Sequence, residues 1–381
     1  MSEYQYYEFQ AIDRRLSAKE MQELRACSTR AQITASSFIN EYSFGSFKGD
    51  QEAWMEQYFD AFVFLANWGT HRFMLRLPAG LIPLQTARQY CLGRAASVRE
   101  KSGHLIISFV SDEEADGGRV DGGGWLNSLA PVREEITRGD WRALYLGWLA
   151  GVQQNPVDPG TLEPPVPANL GHLSPALSRL ADFLRINPDL LAVAAKSSPS
   201  AQATPGAADE DLAGWLGQLT PGEKDQMLLE VMRDRIGAVR MALWSRFHRE
   251  RPARPVGGEA PRRTVKNLLS AAESQAAKRQ REEARIAAAE RARQAREAAA
   301  AREKYLNSIT GREAELWAQV EQLTATRLAK SYDLVVQHLL DLRDLAGRKG
   351  SQPDFAGRLA KYRQAHARKS GILDRLQEKG L

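Results

Sequence analysis

Hydrophobic and polar residues alternate at the start of the chain, where polar side chains separate Tyr7, Phe9 and Ala11. A period of two residues is typical of a strand with one buried face. Similar β-type runs follow at residues 33–44, 62–66, 73–77 and 105–110. A turn at residues 67–70 joins the second and third of these runs. These runs predict a largely antiparallel sheet.

The apolar spacing becomes helical after residues that cap helices. Ser17 and Thr220 are followed three residues later by Glu20 and Glu223, which is the capping-box pattern. Further helices are predicted after Asp50, at residues 125–137 and 140–152, after Ser174 and Asn187, and at residues 212–219, and the Thr220 helix is expected to reach His248. We therefore predict an α+β fold with helices packed on one face of the sheet.

Two helical stretches have features of binding elements but are better explained as core. The helix at residues 140–152 carries Trp141 and Trp148, and aromatic residues at helical spacing usually form core, with a partner groove as the alternative. The helices after Ser174 and Asn187 have the rhythm of a helix-turn-helix. However, residues 190–195 are all apolar and cannot read base edges, so a packing role is favoured.

A long helix is predicted from Thr264, placed as its N-cap, to about residue 309, because no Pro or Gly follows until Gly311. A helix of this length extends about 65 to 70 Å. Between Leu269 and Tyr305 the only large aliphatic residue is Ile286, so the helix lacks a core-facing stripe and the heptads of a stable coiled coil. We expect a charged, solvent-exposed strut. The sequence leaves open whether it pairs with another chain.

Apolar positions return after Gly311 and predict a small helical bundle. Thr310 and Glu313 form another potential capping box, which would break the long helix near Gly311. Helices are then expected at residues 311–325, at residues 332–346 with Gly347 as the closing residue, at residues 353–367 and from Gly371 onwards.

Changes in composition divide the chain into six segments. A stretch rich in Ser, Ala and Pro and a basic stretch rich in Pro and Gly are the predicted linkers. The segments are an α+β head at residues 1–196, a linker at 197–208, a helical segment at 209–249, a basic linker at 250–263, the long charged helix at 264–309 and a helical tail domain at 310–381.

The overall composition is that of an ordinary globular protein, with 43% hydrophobic and 26% charged residues among 381. No run of eighteen apolar residues predicts a membrane span, and the polar, acidic N-terminus lacks the features of a secretory signal. Cys27 and Cys91 are the only cysteines, which excludes a disulfide framework and an all-cysteine zinc site within one chain. These features predict a cytoplasmic protein that does not contact membranes.

No motif predicts a catalytic residue, a cofactor or a metal ion. The histidines are scattered, and the chain contains no H-E-x-x-H, phosphate loop, G-x-G-x-x-G after a strand or G-x-S-x-G elbow. The acidic, Gly-rich stretch from Asp112 to Gly124 lacks the ligand spacing of a calcium loop and is predicted to be a surface loop. The head is large enough for a pocket in which His71, His104 or this stretch meets other polar groups, so an enzyme stays open as an alternative.

Two parts of the chain resemble known bacterial proteins. The segments at residues 59–78, 144–153 (with the core Leu-Tyr-Leu-Gly-Trp-Leu), 163–171 and 180–195 resemble an uncharacterised family of bacterial cytoplasmic proteins. This resemblance covers most of the head and implies a bacterial origin and a cytoplasmic location, with no catalytic residue to carry over. Residues 341–350 and 366–381 resemble the C-terminal tails of bacterial SWIM-type zinc-finger proteins. The chain lacks their C-x-C and C-x-H spacing, so this second resemblance implies a docking tail without zinc.

Two linkers and a solvent-facing helix between two domains favour a non-enzymatic interaction or scaffold protein whose strut and tail position a protein partner. The uneven charge supports an alternative: residues 1–250 sum to −6 and residues 251–381 to +11, giving the net charge of +5. A basic region of this kind can bind nucleic acid independently of sequence through phosphate contacts. The candidate contacts, for nucleic acid or for an acidic partner, are Arg251, Arg254, Arg262, Arg263, Lys361, Arg363, Arg368 and Lys369.

The charge of the strut itself is partly compensated within the helix. Opposite charges four residues apart stabilise a helix and reduce the free positive charge that is available to phosphates. Three such pairs are predicted, namely Lys278 with Glu282, Arg279 with Glu283 and Arg293 with Glu297. This pattern favours a solvated helix face over a nucleic-acid interface.

Overall fold

The computed structural model of the protein describes residues 4–45, 47–112, 122–154, 156–199, 207–233, 235–250, 262–326 and 328–381. Internal packing divides the chain into two compact units, Met1–Lys278 and Arg279–Leu381. The first unit contains a sheet with helices, and all the regular elements described in the second are helices, so the predicted α+β class is confirmed. The core of the first unit extends past the predicted end of the head at residue 196, because Met241, Val265 and Leu268 join it.

The strands are β1 (Gln5–Gln10), β2 (Gln32–Ile33), β3 (Ser37–Tyr42), β4 (Ala61–Ala66), β5 (Thr70–Pro78), β6 (Ala96–Lys101) and β7 (His104–Asp112). They form one antiparallel sheet in the order β2-β3-β1-β4-β5-β7-β6. The predicted hairpin is β4 and β5, with Val63 opposite Phe73. The edge strand β6 was not predicted, since Val98 is its only large apolar residue.

The helices of the first unit are α1 (Ala18–Cys27), α2 (Gln51–Gln57), α3 (Leu84–Arg88), α4 (Trp125–Leu129), α5 (Pro131–Thr137), α6 (Arg142–Gln154), α7 (Pro175–Phe183), α8 (Pro188–Ala195), α9 (Ala207–Gly217), α10 (Pro221–Met232) and α11 (Ile236–Glu250). The predicted caps are confirmed, because the side chains of Ser17, Asp50, Ser174, Asn187 and Thr220 each accept a hydrogen bond from a backbone N–H of the helix that follows.

Both faces of the sheet are covered, so the prediction of helices on one face is wrong. Val63 and Leu75 point into the core that includes α6, where Tyr145 and Trp148 are buried. Phe62 points to the opposite face, into a core shared with α1 and α2. Every residue of β4 is buried, and a continuous apolar run of this kind is typical of a strand that is covered on both faces.

Two helices predicted to be continuous are split in the structure. The first breaks at Pro131, which begins α5 and has no N–H to bond to the preceding turn. The second breaks between α10 and α11, which allows α11 to bury Met241 in the core of the head. Gly237 marks this docking, because a Cβ there would lie 3.0 Å from the carbonyl oxygen of Ile12.

The long helix α12 (Val265–Ile309) begins where it was predicted to begin, with the N–H of Asn267 donating to Oγ1 of Thr264 at 3.3 Å. Residues 265–278 belong to the first unit and residues 279–309 to the second. From residue 277 to residue 301 every side chain is exposed except that of Glu290, which is half-buried. The predicted long, charged, solvent-exposed helix is therefore confirmed.

The second unit continues with α13 (Glu313–Ala325), α14 (Ala329–Lys349), α15 (Gln352–Ala365) and α16 (Ser370–Glu378). These helices and the end of α12 enclose a core that includes Leu306, Val320, Val335, Leu339 and Ile372. The predicted helical bundle is thus present.

Two details of the bundle differ from the prediction. The chain does break at Gly311, but Thr310 is no cap: its hydroxyl donates to the carbonyl oxygen of Leu306, and Glu313 accepts from the N–H of Gly311. Helix α14 ends at Gly350 instead of Gly347, because Gly350 takes the left-handed conformation (φ 69°) that closes a helix.

Candidate interaction surfaces

The start of α12 is fixed to the head by a buried ion pair. Glu163 is 2% exposed and accepts hydrogen bonds of 2.8 and 2.7 Å from the guanidinium of Arg263 and a third from the hydroxyl of Tyr145. Burial, with the adjacent carboxylate as a second cause, raises the pKa of Tyr145 well above its ordinary value. The neighbouring backbone N–H of Val265 donates to the carbonyl of Thr161 at 2.9 Å. We refer to Tyr145, Glu163 and Arg263 as the clasp.

The other end of α12 is held within the second unit. Arg302 donates to the fully buried carboxylate of Asp341 and, at 2.7 Å, to Asp344. The hydroxyl of Tyr305 donates to the second oxygen of Asp341 at 2.9 Å. Charge-assisted hydrogen bonds to a buried carboxylate fix the orientation of the helix that provides the donors. Each end of α12 is thus held by the unit to which it belongs.

Residues 277–301, which we call the α12 surface, carry a mixture of paired and unpaired charges. The predicted pairs Arg279–Glu283 and Arg293–Glu297 are present, at 2.9 and 3.7 Å. The predicted partner of Lys278, Glu282, is instead bound by Arg285 at 2.6 Å. Among the described residues no ion pair engages the remaining basic side chains, Lys278, Arg281, Arg291 and Arg296, and Ile286 in the same stretch is 57% exposed.

The basic residues that the sequence singled out differ in their surroundings. Arg251 and Arg254 lie outside the described residues. Arg262 is exposed in the first unit, whereas Arg263 next to it forms the ion pair with Glu163 in the clasp. In the second unit, Lys369 donates to the carbonyl oxygen of Thr324 at 3.0 Å. Three of the predicted contacts, Lys361, Arg363 and Arg368, are exposed on α15 and just after it, with no ion pair in the described part of the chain.

Sequence reasoning did not single out α10, which contains no buried residue at all. Leu228, Leu229 and Met232 on this helix are 62%, 56% and 84% exposed, and Ile236 at the start of α11 is 57% exposed. The signal was present in the run Met-Leu-Leu-Glu-Val-Met, because its apolar positions cover a wider sector than one packed face requires. Contiguous exposed apolar side chains of this kind mark interaction sites.

The histidines considered for catalysis are not brought together. His71 and His104 lie at opposite ends of the paired strands β5 and β7. Nδ1 of His71 lies 3.1 Å from the carbonyl oxygen of Phe183, so it acts as the donor, and Nε2 accepts from Arg185 at 3.0 Å. Burial and then the charge of Arg185 lower the pKa of His71 to about 4, which keeps the ring neutral at pH 7. Of the acidic stretch, residues 113–121 lie outside the described residues.

A second buried charge network lies where the inner strand β1 ends and β4 begins. Asp60 is fully buried and accepts hydrogen bonds from Arg76 at 2.7 Å and from the N–H groups of Ile12 and Asp13 at 2.6 and 2.9 Å. Burial opposes its ionisation, but Arg76 and Arg133 outweigh that effect and hold the pKa of Asp60 below its ordinary value. Every charge in this network has a partner, which is typical of a structural ion pair.

Two open depressions lie on the first unit. One, of about 270 Å³, lies between α5 and α11, with Arg133, Glu134 and Arg240 among its polar lining residues. The other, of about 460 Å³, lies between α10 and α11 and is lined by Met227, Val239 and paired charges. The depressions contain neither His71 nor His104.

Neither a metal centre nor a membrane span is formed by the residues that the structure describes. No group of three His, Cys, Asp or Glu side chains in these ranges is arranged to hold a metal ion. No described helix combines the length and the apolar character needed to cross a bilayer. In comparisons with known proteins, no family model, curated protein or solved structure matches the chain. The two resemblances noted in the sequence therefore stay predictions.

Proposed function

We propose that the protein is a cytoplasmic, non-enzymatic scaffold that binds a protein partner along the α12 surface, with the C-terminal bundle supporting that surface. One observation carries the proposal: of the 25 helical residues from 277 to 301, all but the half-buried Glu290 are exposed, while ion pairs to buried carboxylates hold Arg263 and Arg302. A helix fixed at both ends loses little conformational entropy when a partner binds, which favours affinity. Three titratable groups buried in the head, Asp60, His71 and Glu163, are by contrast committed to internal contacts.

The chemistry of the α12 surface indicates what kind of partner fits it. Seven basic and four acidic residues occur between residues 277 and 301. Arg281, Arg291 and Arg296 have no ion pair among the described residues and can pair with carboxylates of a partner, and the alanines around Ile286 allow close approach. An acidic protein surface with a small apolar pocket for Ile286 meets both features.

Affinity capture of the full-length chain from a lysate of the source cells tests the proposal. In one variant Arg281, Arg291 and Arg296 are changed to Glu, and in the matched control the exposed Arg30, Lys48 and Arg88 of the head are changed to Glu. Wild type and control should retain the same partner and the α12 variant should lose it, with equal helical content by circular dichroism. Capture of the same partner by all three proteins, or of none by wild type, contradicts the proposal.

The second candidate function is sequence-independent binding of nucleic acid, favoured by the exposed Lys361, Arg363 and Arg368. Each phosphate contact contributes about 0.9 to the slope of log K against log salt for duplex DNA. Changing all three residues to Gln should therefore reduce the slope by up to about 2.7. The control with Arg30, Lys48 and Arg88 changed to Gln removes the same charge and should leave the slope unchanged. Absence of binding at low salt, or equal slopes for both variants, excludes this function.

A further inference from the structure

Helix α10 has an apolar face that nothing in the described chain covers. Its residues Asp225, Leu228, Leu229 and Met232 are spaced i, i+3, i+4 and i+7, so they project from one side. The opposite side of the helix packs through the half-buried Met227 against the cluster of Trp215, Leu219 and Phe247. The outward side is therefore a second, separate surface, which we call the α10 face (Asp225, Leu228, Leu229, Met232 and Ile236).

We propose that the α10 face binds the α10 face of a second copy of this chain, with the two helices antiparallel. The charges at the two ends of the α10 face are the reason for choosing a second copy as the partner. Asp225 lies at one end and has no ion pair among the described residues. At the other end, just beyond Met232, Arg233 and Arg235 share the single carboxylate of Glu230, at 2.7 and 3.0 Å, which leaves a surplus positive charge there. An antiparallel arrangement places Asp225 of each copy beside the arginines of the other, and the leucines meet at the centre. The surface is thus complementary to itself, as a two-fold interface requires.

The size of the α10 face sets the strength of the association. The exposed parts of four large apolar side chains form a patch of about 400 Å², which is within the range of functional patches on monomers. The interface then buries about 800 Å² in total, below the standard size for stable complexes. The dimer is accordingly a weak one, with a dissociation constant on the order of 10 µM. This association is independent of the partner proposed for α12.

Sedimentation velocity of the full-length chain tests the inference. The chain concentration is varied from about 1 to about 200 µM, which brackets the expected dissociation constant. Wild type should shift from monomer to dimer with rising concentration. Leu228→Glu combined with Met232→Glu should remain monomeric throughout, and both positions are exposed, so the fold is not disturbed. Leu328→Glu combined with Leu334→Glu is the matched control, because both leucines are exposed on the second unit, outside the α10 face, and this variant should dimerise like wild type.

A charge exchange tests the antiparallel arrangement. Asp225→Arg should weaken the dimer at least tenfold, and the combination of Asp225→Arg with Arg233→Asp should restore it. Wild type that stays monomeric at the highest concentration overturns the inference. The inference is also overturned if the variant with Leu228→Glu and Met232→Glu still dimerises, or if the variant with Asp225→Arg and Arg233→Asp dimerises no more tightly than Asp225→Arg alone. Helical content measured by circular dichroism verifies that each variant is folded.

Discussion

Removal of the buried carboxylate of the clasp should free the first turns of α12 from the head. In Glu163→Gln the side-chain shape is kept, but the guanidinium of Arg263 loses the charge that balances it, and the hydroxyl of Tyr145 loses its charged acceptor. Removing one partner of a fully buried pair costs about 3 to 5 kcal/mol, because the other charge is left uncompensated. The side chain of Arg263 is 23% exposed, so water relieves part of this cost, and we expect a loss of about 2 to 3 kcal/mol.

Native-state hydrogen exchange measures this loss at the relevant backbone groups. The N–H groups of Val265 and Lys266 donate to the carbonyls of Thr161 and Pro159, so they report directly on the attachment of α12. A loss of 2 to 3 kcal/mol corresponds to exchange that is about 30 to 150 times faster at these two amides. Protection at Val335, in the core of the second unit, should not change.

Two further variants distinguish the effect of the Glu163–Arg263 ion pair from a general loss of stability. Glu163→Gln combined with Arg263→Gln removes the uncompensated charge, so its exchange rates should lie closer to wild type than those of Glu163→Gln alone. Glu315→Gln disrupts only the exposed pair with Arg312 and should leave all rates unchanged. The reasoning is refuted if Glu163→Gln changes the exchange of Val265 and Lys266 less than threefold.

Three other predictions concern the head. Because the folded-state pKa of His71 is lowered to about 4, its contribution to the free energy of unfolding is complete above about pH 6.5 and is lost as the pH falls towards 4. Urea titrations at pH 7 and 5 should thus show a loss of about 2 kcal/mol that disappears in His71→Gln and persists in His104→Gln. Asp60→Asn leaves the buried Arg76 without its carboxylate, while Arg133 keeps its pair with Asp13, and it should cost about 3 to 5 kcal/mol in the same assay. A cost below about 1 kcal/mol would argue against a structural ion pair. Gly147→Ala places a Cβ 2.8 Å from the ring of Phe109 on β7 and should destabilise the protein by about 1 to 3 kcal/mol. The control is Gly357→Ala on α15 of the second unit, where a Cβ meets no atom within 4 Å and should stabilise the helix by about 0.5 to 1 kcal/mol. Equal effects at the two sites would contradict the packing of α6 on the sheet.

Features that depend on neighbours in the sequence were predictable. The capping boxes at Ser17 and Thr220 form as expected, because a side chain and an N–H three residues apart need no tertiary contact. The exposure of α12 follows from its lack of an apolar stripe, which is also a local property.

Features that depend on distant contacts were not predictable. Glu163 and Arg263 are separated by 100 residues, and nothing near Arg263 in the sequence distinguishes it from its exposed neighbour Arg262. The break before Ile236 has the same origin, since the head determines where α11 can dock through Gly237.

The exposed face of α10 shows a third limit of sequence reasoning. Apolar side chains are usually buried, so the sequence alone gives no reason to expect Leu228 and Met232 to be exposed, and only the structure shows that they face solvent. A pattern of apolar residues predicts that a helix face is buried against other apolar groups. Whether those groups belong to the same chain or to a binding partner depends on the fold.

The central claim, that the α12 surface binds a protein partner, is tested most directly by a photo-crosslinking amino acid in place of Ile286. This position lies within the exposed segment and is 57% exposed, so the label points into solvent. After illumination in a lysate of the source cells, we predict one discrete adduct that is absent when the label replaces Thr29, an exposed residue of the head. The adduct should also disappear when Arg281, Arg291 and Arg296 are changed to Glu. No adduct at Ile286 above the level at Thr29, or an adduct that survives the triple change, would contradict the account.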